Sequence, residues 1–327
     1  MNFKFCTLFN FNYLSRGVAL IESFQKCYPD GYLYILAMDK KTEEVLNNLK
    51  FKNSTIISLN EFETNDLKII KYQRSTAEYC WTCTPEIIKY CIEKYGLDSC
   101  TYLDADLYFF NNPNQLIEEL KINSVLITEH RYTRKYDQTQ VSGRFCVQFM
   151  TFKNDEFGLR TLNWWNERCL EWCFARPENG KFGDQKYLDV WPELFDKVHI
   201  LEHIGGGVAP WNMTQYQYRL ENNQVILNSN GKDYPLVFFH FHALKIYDDK
   251  YDLGIYEIND DIVNLIYKPY LKHLEQVDKK LRDLGYDFNW HAKSPFDTSI
   301  KGKFSRFKRI LKRCLHIITK EELGIYG

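Results

Sequence analysis

Asp104 and Asp106 stand one residue apart after the apolar run Thr101-Tyr102-Leu103, a spacing that offers two carboxylates to a single cation. An Asp-Ala-Asp step at the end of a strand would leave both groups beside whatever binds at the sheet edge, with Ala105 between them. Oxygen donors suit a hard divalent ion, Mn²⁺ or Mg²⁺, which keeps positions open for the phosphates of a substrate. Alone, Asp-x-Asp is a common turn sequence. Its position after an apolar strand, and polar groups elsewhere in the chain, point to chemistry instead.

Phe238-Phe239-His240-Phe241-His242-Ala243-Leu244-Lys245 ends a second apolar run with two histidines and a lysine. An imidazole would complete a carboxylate metal site and an ammonium would neutralise a phosphate. His240 and His242 share one strand face, so spacing does not choose between them. Gly183-Asp184-Gln185 places a carboxylate and an amide at the start of a short helix. Asp184 there is either an N-cap or, with Gln185, half of a polar pair facing a sugar ring as a glycosidic bond breaks. Gly205-Gly206-Gly207, followed by Trp211 and Asn212, reads as a loop that can approach a ligand closely. The chain has no Walker-type phosphate loop and no Gly-x-Gly-x-x-Gly after its first strand. ATPase and dinucleotide-binding readings therefore lose support.

The elements that must hold these groups alternate. Residues 3–9 predict a strand, Ser15 caps a helix over 16–27, residues 32–38 form a second strand, 41–49 an amphipathic helix and 55–58 a third strand. That order implies an α/β fold with a mostly parallel central sheet flanked by helices and right-handed crossovers. Thr84-Pro85-Glu86 predicts a helix start, with its end at Gly96. After residue 141 the pattern changes to a strand over 145–152, an aromatic-rich helix over 155–173 and a polar loop over 176–183. Antiparallel additions follow around the turn pairs Asn222-Asn223 and Asn230-Gly231, with a strand over 236–240. Residues 261–284 read as helical. We expect a catalytic domain over 1–255 and a C-terminal helical extension over 256–327.

A formal net charge of −1 gives no global argument for binding nucleic acid, and none is expected as a partner. The N-terminal stretch lacks the pattern of a signal peptide, and no apolar run approaches the roughly 18 residues that cross a bilayer. The expected location is cytoplasmic. The ten cysteines then read as reduced core thiols. Cys80 with Cys83, and Cys169 with Cys173, raise the question of zinc, but they lie far apart in apolar segments rather than in a small loop-rich module.

Taken together, Tyr13-Leu14-Ser15-Arg16-Gly17, Thr84-Pro85, Leu103-Asp104-Ala105-Asp106, Phe182-Gly183-Asp184-Gln185, Ala209-Pro210-Trp211-Asn212 and His240-Phe241-His242 resemble a nucleotide-sugar glycosyltransferase of the GT-A fold. The resemblance is to the glycogenin and lipopolysaccharide galactosyltransferase group and covers about residues 3–245. It implies that Asp104 and Asp106 bind a divalent cation, with His240 or His242 as a further ligand. It also implies that Phe9, Asn10 and Tyr13 cradle the uracil and ribose, and that Arg74, Ala105, Trp211, Asn212 and Lys245 belong to the donor site. Asp184 and Gln185 match an Asp-Gln step that lies at the donor sugar in that group and accompanies retention of anomeric configuration.

Two departures stand out. Ala243 occupies a glycine position if His240 is the matching histidine, with Lys245 one place early, and no basic residue lies in Thr82-Cys83-Thr84, for which Arg74 is the candidate substitute. The implied reaction moves a hexose from a nucleotide diphosphate sugar, UDP-linked, to a hydroxyl of a carbohydrate, glycolipid or protein, in surface polysaccharide or glycolipid synthesis. A sugar-phosphate nucleotidyltransferase would need a glycine-rich basic loop where Asn10-Phe11-Asn12-Tyr13 stands. An inactive nucleotide-sugar or carbohydrate-binding protein would keep the fold without turnover.

Residues 293–320 carry nine Lys or Arg against the single Asp297. Phe304, Phe307, Ile310, Leu311, Cys314, Leu315 and Ile318 recur there at helical spacing. Such a helix either lies on an anionic membrane surface, making the protein peripheral on the cytoplasmic face, or packs on the catalytic domain with its basic side in water.

Overall fold

The computed structural model describes residues 3–286, 290–291, 300–311 and 315–324. Among these, β1 (Lys4–Phe9), β2 (Tyr32–Ala37), β3 (Ser54–Ser58) and β4 (Ser99–Leu103) are followed by the short β5 (Leu107–Phe109), then β6 (Val125–Glu129), β7 (Phe145–Lys153) and β8 (Val198–Ile200). Seven of them form one sheet in the order β3-β2-β1-β4-β7-β6-β8. Only β7 runs antiparallel to its neighbours. β1 and β7 are buried almost throughout, which is why they read as continuous apolar runs rather than alternating ones.

Parallel pairing sets the position of the site. β1 pairs with β4 through Phe5↔Thr101 and Cys6↔Tyr102, so the carboxyl ends of both strands open on the same edge. Asn10 and Asp104 follow those ends, and ligands in open α/β sheets bind at such an edge. One face of the sheet is covered by the Leu14–Cys27 and Lys268–Asp283 helices, whose Leu20, Phe24, Tyr270 and Leu274 join Phe5 and Phe9 in one core. The other face carries the Thr76–Tyr95 and Glu156–Glu171 helices, with Trp165, Trp191 and Phe152 packed at their centre. Residues beyond 255 thus share a core with β1. Tyr270 stacks on Phe241 with ring centroids 3.8 Å apart, tying the C-terminal helix to the histidine segment.

Several expected boundaries move. The helix expected to begin at Thr84 begins at Thr76, because Ser75 and Glu78 form a reciprocal capping box; Pro85 lies inside it, and Gly96 ends it with φ of 61°. Ser15 does not cap its helix; it sits within it and donates its hydroxyl to Asp278. Asn222 and Asn223, with φ of 48° and 61°, turn β9 (Gln217–Glu221) into β10 (Gln224–Ser229) as a two-residue hairpin requires. After Asn230-Gly231 the chain folds back on β10 as β11 (Lys232–Pro235); the strand expected over 236–240 is shorter, β12 (Phe238–His240), and pairs with β5.

The nine described cysteines are free thiols. Neither pair raised for zinc belongs to a cluster of three or more ligating side chains among the described residues. None of the described helices is long and apolar enough to cross a membrane. In the C-terminal segment the helix spans Ile300–Leu311. Lys293, Asp297, Cys314 and the side chains of Phe304 and Leu311 lie outside what is described. Arg309 folds inward onto buried Asp252 at 2.6 and 2.8 Å, while Phe307 and Ile310 are exposed.

Candidate metal and donor-binding site

The Asp-Ala-Asp step is a tight turn between β4 and β5, closed by the Leu107 N–H donating to the Asp104 carbonyl at 3.2 Å. β7 holds it on one side, where the Asp104 N–H donates to the Gln148 carbonyl at 3.0 Å. β12 holds it on the other: antiparallel pairing with β5 sets His240 opposite Leu107, and the Phe241 N–H donates to the Asp106 carbonyl at 2.9 Å. Register therefore delivers His240 to the two carboxylates. Its Nε2 lies 3.1 Å from Asp106 Oδ1 and 3.9 Å from Asp104 Oδ2.

The other ring nitrogen is occupied. His240 Nδ1 is 2.8 Å from Gln148 Oε1, an acceptor, so Nδ1 carries the proton and donates. That orientation leaves Nε2 as the atom facing the carboxylates, the usual way an outer partner sets a ligating histidine. Burial raises the Asp104 carboxyl to about 6, reinforced by the Asp106 charge and opposed by His240. Burial works against Asp106 too, but the His240 imidazolium holds it down to about 2. His240 is raised well above its ordinary value; burial disfavours its charge and Asp106 outweighs that. Two carboxylates and an oriented imidazole fit a divalent cation, which would replace the Nε2 proton.

These groups open on a cavity of about 660 Å³, within the range of small-ligand sites. Phe9, Asn10 and Tyr13 form one wall. Asp39 orders that loop, accepting from the Phe11 N–H at 2.7 Å and capping the next helix through Thr42. Gly17 is required beneath it, since a Cβ there would come within 2.4 Å of the Phe9 ring. Asp184 and Gln185 form another wall. The Trp165 indole N–H donates to the Asp184 carbonyl at 2.8 Å, and the Gln185 amide donates to the Ser142 carbonyl at 2.9 Å. The Asp184 carboxyl is pushed up to about 8, by burial first and then by the Asp104 charge. It caps no helix; Gln185 occupies that place.

Ala105, Trp211 and His242 also line the cavity, with His242 edge-on to Trp211 at 5.4 Å. His242 is exposed at the cavity mouth, and the ion pairs with the two aspartates belong to His240. Three residues expected in the donor site are not in the lining. Arg74 lies over the Phe174 ring at 3.8 Å. Asn212 is fully buried and braces the 207–212 loop by donating to the His130 and Gly207 carbonyls and accepting from the Ala209 N–H. Lys245 is exposed on β13 (Lys245–Ile246). Polar side chains in loops near a site are as often its scaffold as its contacts, and spacing alone does not separate the two.

Sequence reasoning missed Gln148 and Cys146, both on β7, and His130, whose buried ring stacks on Tyr132 with centroids 4.5 Å apart. A glutamine in the middle of the apolar run Phe145–Lys153 was the available signal, since a buried amide must be hydrogen-bonded.

No family model matches the chain. Over 300 residues it is 30% identical to the uncharacterized protein YfnF of Bacillus subtilis (strain 168), a match covering 89% of this chain and 98% of that protein. The chain belongs to the YfnF family. YfnD of the same organism, also uncharacterized, is 29% identical over 296 residues, covering 88% of this chain and 93% of its own. Among solved structures, galactosyltransferase LgtC in complex with donor and acceptor sugar analogs aligns with a TM-score of 0.54 at 12% identity, covering 86% of this chain and 99% of that one. That likeness gives this YfnF-family chain the GT-A glycosyltransferase fold expected from its motifs.

Proposed function

We propose that this YfnF-family chain is a glycosyltransferase that moves a hexose from a nucleotide diphosphate sugar, UDP-linked, to a hydroxyl acceptor, with a divalent cation held by Asp104, Asp106 and His240. One observation carries the reading. Two carboxylates and an oriented histidine converge in a cavity whose described lining contains neither Lys nor Arg. Arg16 acts on Asp106 from behind the Tyr13 ring, and a cation held by the two carboxylates would supply the positive charge that a diphosphate needs at the lining itself. When bound, the cation, Mn²⁺ or Mg²⁺, would stabilise the negative charge that builds on the departing diphosphate.

The chain's own residues bind, orient and exclude water. Phe9, Asn10 and Tyr13 stand at the carboxyl end of β1, where the nucleoside would lie. Asp184 and Gln185, anchored through Trp165 and Ser142, face the same cavity and would position the sugar, consistent with retention. Tyr132, Trp211 and Tyr256 offer flat apolar faces with polar tips for a carbohydrate, glycolipid or glycosylated protein acceptor. Incubation with a panel of UDP- and GDP-hexoses, with and without Mn²⁺, should release nucleotide from one donor in a cation-dependent manner. Absence of both donor binding and turnover across the panel would overturn the proposal.

The Ile300–Leu311 helix supports attachment to an anionic membrane. Phe307 and Ile310 are exposed one turn apart beside exposed Lys308, while Arg309 anchors the helix inward. Flotation with phosphatidylcholine vesicles, with and without phosphatidylglycerol, should show binding only to the anionic ones, reduced in the Phe307→Ser/Ile310→Ser double variant. Equal recovery with both vesicle types rejects the attachment.

A further inference from the structure

Cys146 brings sulfur to the cation site. One ligand atom each of Asp104, Cys146 and His240 lie within 4.8 Å of one another. Cys146 and Gln148 are two residues apart on β7, next to the shift in its register with β6, and both reach the His240 face. Gln148 uses that face to orient His240 through Nδ1, and Cys146 presents its thiol beside the same ring. Cys146 is buried with Ala209 and Trp211, Tyr132, Tyr136 and Tyr256 pack around them, and the thiol borders the cavity. Ordinary core packing does not require a thiol to meet a carboxylate and an imidazole at the edge of a cavity.

We propose that Cys146 is a ligand of the cation site, joining Asp104 and His240 so that one sulfur enters a donor set otherwise made of oxygen and nitrogen. The inference rests on Asp104, Asp106 and His240 being a metal site, as proposed above. Coordination would form a metal–sulfur bond and release the thiol proton to solvent, with no change in oxidation state. Thiolate sulfur favours Zn²⁺, Co²⁺ and Cd²⁺ and contributes almost nothing to Mg²⁺, which demands oxygen donors in octahedral array. Of the two cations named for the reaction, the sulfur therefore favours Mn²⁺ over Mg²⁺, and it binds Zn²⁺ and Co²⁺ more tightly than either.

Cobalt reports sulfur ligation without any assay of turnover. Full-length protein stripped of metal and titrated with Co²⁺ should develop visible d–d bands together with a near-ultraviolet thiolate-to-cobalt charge-transfer band. Cys146→Ser should lose the charge-transfer band, keep the d–d bands and bind Zn²⁺ at least about 10-fold more weakly with Mg²⁺ affinity unchanged. Cys80→Ser, which removes the other thiol lining the cavity, should keep the wild-type spectrum. Cobalt bound by wild-type protein with d–d bands and no charge-transfer band overturns the assignment of Cys146 while leaving the metal site standing. Loss of the band in Cys80→Ser rather than in Cys146→Ser also overturns it. No cobalt binding at all removes the metal site itself, and the inference with it. Cys6, Cys91 and Cys100 form a separate buried thiol cluster, so the assignment is read from the difference between wild-type protein and Cys146→Ser, with Cys146→Ala as the second variant; a charge-transfer band retained in both variants overturns it.

Discussion

Asp106→Ala is expected to lower kcat/KM for cation-dependent nucleotide-sugar turnover by roughly 100- to 1000-fold, the scale at which removal of a fixed electrostatic partner acts on a charge-separating step. Asp106 is the carboxylate closest to His240, at 3.1 Å, and the one whose proton affinity is held down to about 2 despite burial. Removing it takes away one metal ligand and leaves the buried His240 imidazole without its counter-charge. Asp106→Asn keeps the shape and loses the charge, so it should fall nearly as far. Nucleotide affinity measured by calorimetry should become insensitive to added Mn²⁺ in both variants. If the cation still strengthens nucleotide binding as it does in wild-type protein, these carboxylates do not hold it.

Stability should respond most to Asp278, a fully buried carboxylate on the Lys268–Asp283 helix. It accepts from the Ser15 hydroxyl, from Trp290 Nε1 at 2.9 Å and from His291 Nε2 at 2.7 Å. Asp278→Ala strands these donors and is expected to cost about 3–5 kcal/mol in urea unfolding, as breaking one side of a buried pair does. Its pH dependence has a definite sign. Burial alone would raise the Asp278 carboxyl, but the hydrogen bond and charge of His291, with Ser15 and Trp290, outweigh it and the net value is lowered. A carboxyl depressed in the folded state binds its proton more weakly there than in the unfolded chain. Its contribution is therefore complete above the unfolded value of about 3.9 and is lost as pH falls through the folded value. Wild-type protein should lose more stability than Asp278→Ala below about pH 4; identical acid limbs would dispose of this account. Because Ser15 lies in the first turn of the helix after the cavity loop and Trp290 meets Phe11 edge-on at 6.1 Å, the same variant should also loosen the nucleoside wall.

Much of the fold was legible locally. β1, β2 and β3 were marked by apolar runs, and the Lys40–Leu49 helix by its amphipathic period, because a parallel sheet buries both faces of a strand but only one face of its covering helix. The Asn222-Asn223 hairpin was legible because few residues tolerate two consecutive left-handed positions. The helix start at Thr84 was misread for an equally local reason: Pro85 is favoured at a first turn, yet Ser75 and Glu78 had already satisfied the free N–H groups one stretch earlier. Ser15 looked like a cap because its true acceptor, Asp278, lies on a distant helix.

By itself the sequence determined which chemical groups are present and the local geometry around each: two carboxylates at a strand end, two histidines on one strand face, an Asp-Gln step after a glycine, and a basic C-terminal segment. Tertiary structure decided which of them meet. Pairing of β12 with β5 places His240 against Asp106, and a strand carrying Gln148, 92 residues away in the chain, turns its Nε2 toward the carboxylates. It also withdrew Arg74 onto an aromatic ring, Asn212 into a loop brace and Lys245 into solvent, and brought Cys146 to the edge of the metal site. The division has a physical cause. Backbone propensities and capping act over a few residues, whereas ligand geometry depends on strand register and side-chain packing between segments whose separation in sequence carries no record of their distance in space.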